Sequence, residues 1–171
     1  MSFVGIVPSI LCNDHQDPQG VIAMTISKEF VIAGNATFTL ALPEQYAAEE
    51  QLKPHYTFKV RFKEGNNGYG DTFFVSLLTG PDNYVNYTYL GILDPNKGIV
   101  KTTAKSCLSS DQLPVRLLNR ALTLVWENNV QPMLEKGFNL HHEGKCGRCG
   151  RKLTVPKSIE TGIGPECAGR I

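Results

Sequence analysis

The chain has 171 residues, of which 42% are hydrophobic and 19% are charged, and its formal net charge is +1. This composition excludes an intrinsically disordered chain, and the length fits one ordinary domain with a small additional module. No apolar run approaches the roughly 20 residues of a membrane-spanning helix, and the amino-terminal stretch lacks the basic segment of a signal peptide. We therefore expect a cytoplasmic protein that has no membrane partner.

The charge is unevenly distributed along the chain. Residues 145–171 hold six Lys/Arg and two Asp/Glu and so carry +4, whereas residues 1–144 carry −3. A basic carboxyl-terminal segment fits either a surface that faces phosphate groups or an ordinary solvated surface.

The first third of the chain contains short apolar runs that are bounded by turn residues. Runs of this length predict buried strands. They lie at 3–11, 21–26 and 30–33. The next segments predict a strand at 37–42 and a short helix of good helix formers at 44–53.

Four further strand patterns follow, and short turns separate the last three. They lie at 56–63, 72–79, 84–93 and 99–103. Consecutive strands with short turns are typical of an antiparallel meander. Tyr87 and Tyr89 share one face of the third of these strands, and we expect them to pack in the core rather than to stack on nucleic-acid bases.

Residues 56–63 form the clearest strand pattern, because apolar and polar side chains alternate strictly. The polar face carries Lys59, Arg61 and Lys63. This cationic face fits a track for a nucleic-acid backbone or, as we favour, a solvated face of the sheet.

One long amphipathic helix follows the strands. Ser109 and Gln112 fit a capping box at its start, and apolar residues then recur at helical spacing as far as Trp126. This apolar stripe must cover the sheet, with Trp126 as a core anchor. The predicted organisation is an α+β domain over 1–127, a linker over 128–140 and a metal-binding module over 141–171.

The last segment combines three of the five cysteines, Cys146, Cys149 and Cys167, with the histidine pair His141 and His142. The C-x-x-C spacing turns two thiolates towards one centre, and the third cysteine returns after an interval that is long enough for a hairpin. His142 is the predicted fourth ligand, and His141 is the alternative. Three sulfurs and one imidazole nitrogen are typical of one structural Zn²⁺ ion in a closed tetrahedral shell.

Other interpretations of these cysteines are weaker. An odd cysteine count without a signal peptide argues against disulfides, and the surrounding glycines and charges argue against a thioredoxin-type redox motif. His141, His142 and Glu143 spell the H-x-E triplet of zinc deaminases, but the triplet lies too close to the C-x-x-C motif and a closed shell leaves no position for a reactive water. Cys12 and Cys107 fit buried core thiols. We therefore expect no enzymatic activity and infer no small-molecule substrate.

Residues 142–167 read H-E-G-K-C-G-R-C-G-R-K-L-T-V-P-K-S-I-E-T-G-I-G-P-E-C. This stretch resembles the signature H-E-G-x-C-x-x-C-G-R-x-L-T-x-P-x-S-I-x-x-G-x-G-P-x-C of small phage-encoded proteins of uncharacterised function. The resemblance covers much of residues 56–171, including F-V-S-L-L-T-G-P-D-N at 74–83. It implies a phage origin, a zinc-binding tail and His142 as the histidine ligand, and it implies no established activity.

Together these patterns predict an α+β fold in which one amphipathic helix covers an antiparallel meander, with a small zinc knuckle of treble-clef or ribbon type. The predicted function is that of a non-catalytic phage accessory protein whose zinc module binds nucleic acid through phosphate contacts. The predicted contacts are Lys145, Arg148, Arg151, Lys152 and Lys157. The alternative is a phage inhibitor that binds a host defence protein, such as a nuclease complex, in the host cytoplasm.

Overall fold

The computed structural model describes residues 26–66, 68 and 70–170. Strands in this part of the chain are β1 (Asn35–Ala41), β2 (His55–Lys63), β3 (Thr72–Leu78), β4 (Tyr87–Asp94), β5 (Ile99–Lys101) and β6 (Asn139–His142). Helices are α1 (Lys28–Val31), α2 (Glu44–Glu49), α3 (Leu113–Trp126), α4 (Gln131–Glu135), α5 (Pro156–Thr161) and α6 (Pro165–Ala168). None of these described helices combines the length and hydropathy that crossing a bilayer requires.

The six strands form one antiparallel sheet in the order β5-β4-β3-β2-β1-β6. The first five strands follow one another as a meander, and β6 returns from the far end of the chain to pair with β1. The fold is therefore α+β with an antiparallel meander, as the strand patterns predict. The return of β6 matters for the site, because it brings the carboxyl-terminal segment against the first strand.

The sheet has one buried face and one outer face, because side chains alternate along each strand. The buried apolar residues of β1 and β2 on the inner face are Ala36, Phe38, Leu40, Tyr56, Phe58 and Val60. The outer face is formed by the alternate positions and includes Thr37, Lys59, Arg61, Ser76, Tyr87 and Tyr89. The expectation that both tyrosines pack in the core is wrong, since they lie half-buried on this outer face.

Helix α3 covers the buried face. Its apolar stripe, which includes Val115, Leu118 and Leu122, is fully buried against the sheet. The side chain of Asn119 accepts a 2.7 Å hydrogen bond from the backbone N–H of Val100, which ties α3 to β5.

Trp126 closes the end of α3 against the turn between β4 and β5. Its indole Nε1 donates to the backbone oxygen of Pro95 at 2.9 Å. Gly98 in that turn has a φ of +66°, and a Cβ there would lie 2.6 Å from the indole ring. Glycine is therefore required both by the backbone conformation and by the packing of Trp126.

One predicted strand has a different structure from the expected one. The apolar run at 30–33 is not a strand: it lies in and after α1, where Ser27 Oγ caps the helix by accepting from Phe30 N–H at 3.2 Å. Periodicity cannot separate so short a run into helix or strand. The predicted linker, 128–140, contains α4 and the first half of β6. The predicted strands at 3–11 and 21–26, apart from Ile26, lie outside the described residues, as does Cys12.

Candidate metal centre

Three cysteine sulfurs meet in the carboxyl-terminal segment. The Sγ atoms of Cys146, Cys149 and Cys167 all lie within 4.8 Å of one another. These are the three cysteines that the sequence analysis singled out, and a distance of this order allows them to share one metal ion. A cavity of about 200 Å³ adjoins the sulfurs.

A short ribbon presents the first two cysteines. Lys145 and Lys152 form an isolated antiparallel bridge, and Cys146 N–H donates to Arg151 O at 2.8 Å. Between them the chain turns tightly: Gly150 N–H donates to Cys146 O at 2.9 Å, and Gly150 has a φ of +75°. The turn thus depends on a left-handed backbone conformation that glycine adopts without strain.

Helix α6 presents the third cysteine. Gly164 precedes the helix and Pro165 begins it, so Cys167 lies in its single turn. The backbone N–H of Gly164 also donates to Cys146 Sγ at 3.4 Å. The same glycine therefore starts the helix that carries one sulfur and contacts another.

The protonation of the cysteines favours a bound cation. Burial raises the pKa of Cys146, but the N–H groups of Cys149, Gly164 and Arg148 outweigh it and set this pKa at about 7. Burial and the neighbouring Cys149 and Cys146 raise the pKa of Cys167 to about 11. The negative charge of one thiolate therefore suppresses ionisation of the neighbouring thiol. A divalent ion shared by all three sulfurs would offset this repulsion between thiolates.

The surroundings of the sulfurs are too small to fold by burial alone. Cys146, Leu153 and Ile163 are the buried residues of a separate small cluster, against which Ile159 and Cys167 pack. A core of this size offsets little of the entropy of ordering the segment, so a structural metal ion would contribute much of its stability. The donor set and the small core thus both fit a structural metal ion.

The structure does not bring His142, the predicted fourth ligand, to the three sulfurs. No described His, Asp or Glu joins the three sulfurs within 4.8 Å. His142 is 2% exposed and lies on the buried face of β6. Its Nε2 donates to Ile159 O at 2.7 Å, and its Nδ1 accepts from Gly144 N–H at 3.0 Å. Both ring nitrogens are therefore engaged with the backbone, and the imidazole links β6 to α5.

The rest of the H-x-E triplet also lies apart from the sulfurs. His141 points to the outer face, because neighbouring residues of β6 alternate, and it is paired with Thr39 of β1. Glu143 accepts from Lys145 Nζ at 3.3 Å. The deaminase arrangement, in which the glutamate serves a metal-bound water, is not present among these described residues.

Replacement of His142 distinguishes the two roles. We expect His142→Ala to lower the free energy of unfolding by roughly 2–4 kcal/mol, because it leaves a cavity and two unpaired backbone groups. It should nevertheless retain one metal ion per chain. Metal content by mass spectrometry and chemical unfolding measure the two effects, and a variant that folds without metal would restore His142 as a ligand.

The pH dependence of this variant gives a second readout. Burial lowers the pKa of His142 below its ordinary value of 6.5. The hydrogen bond to the Ile159 carbonyl raises this pKa, and the nearby His141 lowers it further. Below pH 6.5 the unfolded chain therefore binds more protons than the folded one, so wild-type stability falls as the pH falls. The stability difference between wild type and His142→Ala should consequently shrink below that pH, while thiolate protonation affects both proteins equally.

Phe30 joins this segment to the main domain. Its side chain is 1% exposed, and its ring lies 5.1 Å from the ring of His142. A Cβ on Gly147 would lie 2.7 Å from Phe30 Cδ2, and a Cβ on Gly162 would meet the same atom. The sequence analysis missed this residue, since an apolar run shows only that Phe30 is buried and not what covers it.

The five predicted phosphate contacts surround the module. Arg148, Arg151, Lys152 and Lys157 are exposed, and Lys145 is half-buried. Arg151 pairs with Glu166 at 3.8 Å in a pair whose side chains are 80% and 83% exposed, and Arg148 donates to Arg170 O. Exposed pairs of this kind are weak, so these cations stay accessible to another anion.

A family model matches the carboxyl-terminal segment of the chain. Residues 141–171 are similar to a family of unknown function, DUF6011. No curated protein and no solved structure matches the chain. The match coincides with the segment that carries the three cysteines, and it assigns no activity to that segment.

Proposed function

We propose that the carboxyl-terminal segment is a zinc-stabilised module of a non-catalytic protein, and that this module binds nucleic acid through phosphate contacts. The convergence of three cysteine sulfurs in a segment that carries several exposed cations, two of which line the cavity beside the sulfurs, supports the proposal. Thiolate ligands favour Zn²⁺ over Mg²⁺ or Ca²⁺, and the small core around them gives the ion a structural role.

The cations suit the nucleic-acid backbone rather than its bases. Lys152 and Lys157 are exposed and take part in none of the ion pairs among the described residues. Neither lies on a helix long enough to enter a major groove: α5, which carries Lys157, has six residues. Binding should therefore depend strongly on salt and weakly on sequence.

A salt series with matched variants tests this proposal. We expect labelled single-stranded and duplex oligonucleotides to bind at low salt. The double variant Lys152→Ala/Lys157→Ala should make the negative slope of log K against log salt shallower by about two, one for each phosphate contact. Lys53→Ala, which removes an exposed cation outside the module, is the control and should leave the slope unchanged. Absence of binding at low salt, or binding indifferent to salt, would contradict the proposal.

A protein partner is the second candidate. Tyr84 and Val85, in the turn between β3 and β4, are 77% and 71% exposed. Exposed apolar side chains are one feature of protein-binding surfaces, although two residues make only a small patch. Pull-down from a host lysate treated with nuclease separates the candidates, because a stoichiometric protein partner that survives the treatment favours the inhibitor.

A further inference from the structure

A polar cavity of about 180 Å³ lies between the outer face of the sheet and the metal module. Its polar lining consists of Asn35, Thr37, Lys59, Asn83, Glu143 and Lys145, and the metal ligand Cys146 and Gly150 lie at its side. Pockets for drug-sized molecules are larger, about 300–1,000 Å³. The cavity therefore fits a small polar group rather than a whole large ligand.

The charges around this cavity are unbalanced. Glu143 is the single acidic residue in the lining, and its carboxylate already accepts from Lys145 Nζ at 3.3 Å. Lys59 takes part in none of the ion pairs among residues 26–66, 68 and 70–170. Burial lowers the pKa of Lys59, the nearby Arg61 and Lys145 lower it further, and Glu143 offsets part of this effect. An anion in the cavity would also favour the charged form of Lys59.

The neutral lining groups are also available to a ligand. Asn35 and Thr37 are half-buried and Asn83 is exposed, so two amides and a hydroxyl can donate to a ligand in the cavity. Tyr87, whose ring lies 4.9 Å from Lys59 Nζ, has a buried hydroxyl that lacks a hydrogen-bond partner in the described part of the chain. Buried polar groups are normally satisfied, so this hydroxyl indicates a missing partner close to Lys59.

An aromatic ring stands at the rim. Tyr84 lines the cavity and is 77% exposed, and Lys145 Nζ lies 5.2 Å from its ring. Its turn is held by Asp82, whose Oδ1 accepts from Tyr84 N–H at 2.7 Å and from Val85 N–H at 3.2 Å. A ring in a fixed turn beside a cationic cavity offers a stacking surface for a base.

We propose that this cavity binds the phosphate group of a nucleotide unit, with Lys59, Lys145 and Asn35 on the phosphate and Tyr84 beside the base. The unit comes either from a free nucleotide or from a nucleic-acid strand. The strand source rests on the proposed function, whereas the free-nucleotide source is independent of it. Because Cys146 and Gly150 border the cavity, its shape depends on the metal module.

Two probes and three variants test this site. The probes are adenosine 5′-monophosphate, measured by calorimetry, and a short labelled oligothymidylate, measured by fluorescence anisotropy. We expect Lys59→Met and Asn35→Ala each to weaken binding of at least one probe, with roughly a tenfold loss for Lys59→Met, the equivalent of one hydrogen bond to a charged group. Lys63→Met removes an exposed cation farther along the same face of β2 and is the matched control, with a change below about twofold.

The outcomes separate this proposal from the proposed function. Binding of the mononucleotide that needs Lys59 supports the site, and it does so even if the oligonucleotide does not bind and the nucleic-acid function fails. Binding of the oligonucleotide alone, with loss in both Lys59→Met and Asn35→Ala, supports the strand source.

Oligonucleotide binding that is equal in Lys59→Met and Lys63→Met, without mononucleotide binding, overturns the site and leaves the module cations as the contacts. Failure of both probes overturns both proposals. Metal content and unfolding midpoint confirm that each variant is folded.

Discussion

Cys146→Ser is expected to release the metal ion and unfold the carboxyl-terminal segment from residue 145 onwards, while the sheet stays folded. The serine hydroxyl does not ionise and cannot replace a thiolate ligand. Binding of structural zinc contributes about 10–16 kcal/mol in zinc-finger peptides, and the separate core here has only three buried residues to set against its loss. The strands belong to a different and much larger core.

Metal analysis and backbone amide spectra measure this result. The wild-type chain should carry one ion per chain, and Cys146→Ser should carry none and lose the dispersed signals of residues 145–170. Cys107→Ser is the matched control, because Cys107 is outside the sulfur cluster and packs against the main core. If Cys146→Ser kept both the ion and the dispersed signals, the three sulfurs would not form a structural site.

The sheet is predictable from sequence because its register follows from local alternation. In β2, a strict two-residue period separates Phe58 and Val60 from Lys59 and Arg61, and the structure puts the first pair in the core and the second on the outer face. A one-residue slip would bury both cations, so the pattern alone fixes which face is inward. The apolar stripe of α3 is fixed in the same way by a longer period.

His142 shows where spacing stops being informative. The interval between His142 and Cys146 would allow both side chains to bind one metal ion. The same interval also allows His142 to belong to a strand and Cys146 to the ribbon that follows it, with their side chains apart. Residues 139–142 pair with β1 and set His142 opposite Phe38, on the buried face of the sheet. A strand of only four residues carries too little periodicity to be recognised, and its partner lies about a hundred residues away in the chain.

The cavity between sheet and module is a second feature that sequence cannot reveal. Asn35, Lys59 and Lys145 lie on three separate segments, and only the pairing of β1 with β2 and β6 brings them together. From the sequence of β2 alone, Lys59 is expected to lie on a solvated face of the sheet. In the structure its neighbours on the outer face are another strand and the metal module, which changes the environment of its ammonium group.

Phe30→Ala is expected to lower both the stability of the main core and the affinity of the module for its metal ion. The ring is fully buried in α1 and contacts Gly147, Gly162 and His142, so its loss leaves a cavity between the main core and the module. Truncation of a buried phenylalanine costs about 3–5 kcal/mol. The backbone hydrogen bond from Asn35 N–H to Gly147 O, at 2.6 Å, would then remain as the main described link between β1 and the cysteine loop.

The measurement that tests this role is the affinity of Phe30→Ala for the metal ion, compared with the affinity of Phe58→Ala for the same ion. Phe58 is equally buried, but it packs against Phe38 within the sheet and is not among the residues that touch the cysteine loop. Both variants should lose similar stability in chemical unfolding. Only Phe30→Ala should also bind the ion more weakly in a competition titration with a chelator, because part of the binding energy must then order the loop that Phe30 holds in place.

If either alanine variant fails to fold, Phe30→Leu and Phe58→Leu provide the same comparison with a smaller loss of volume. Equal metal affinities in the two variants would mean that the module folds on its ion independently of the sheet.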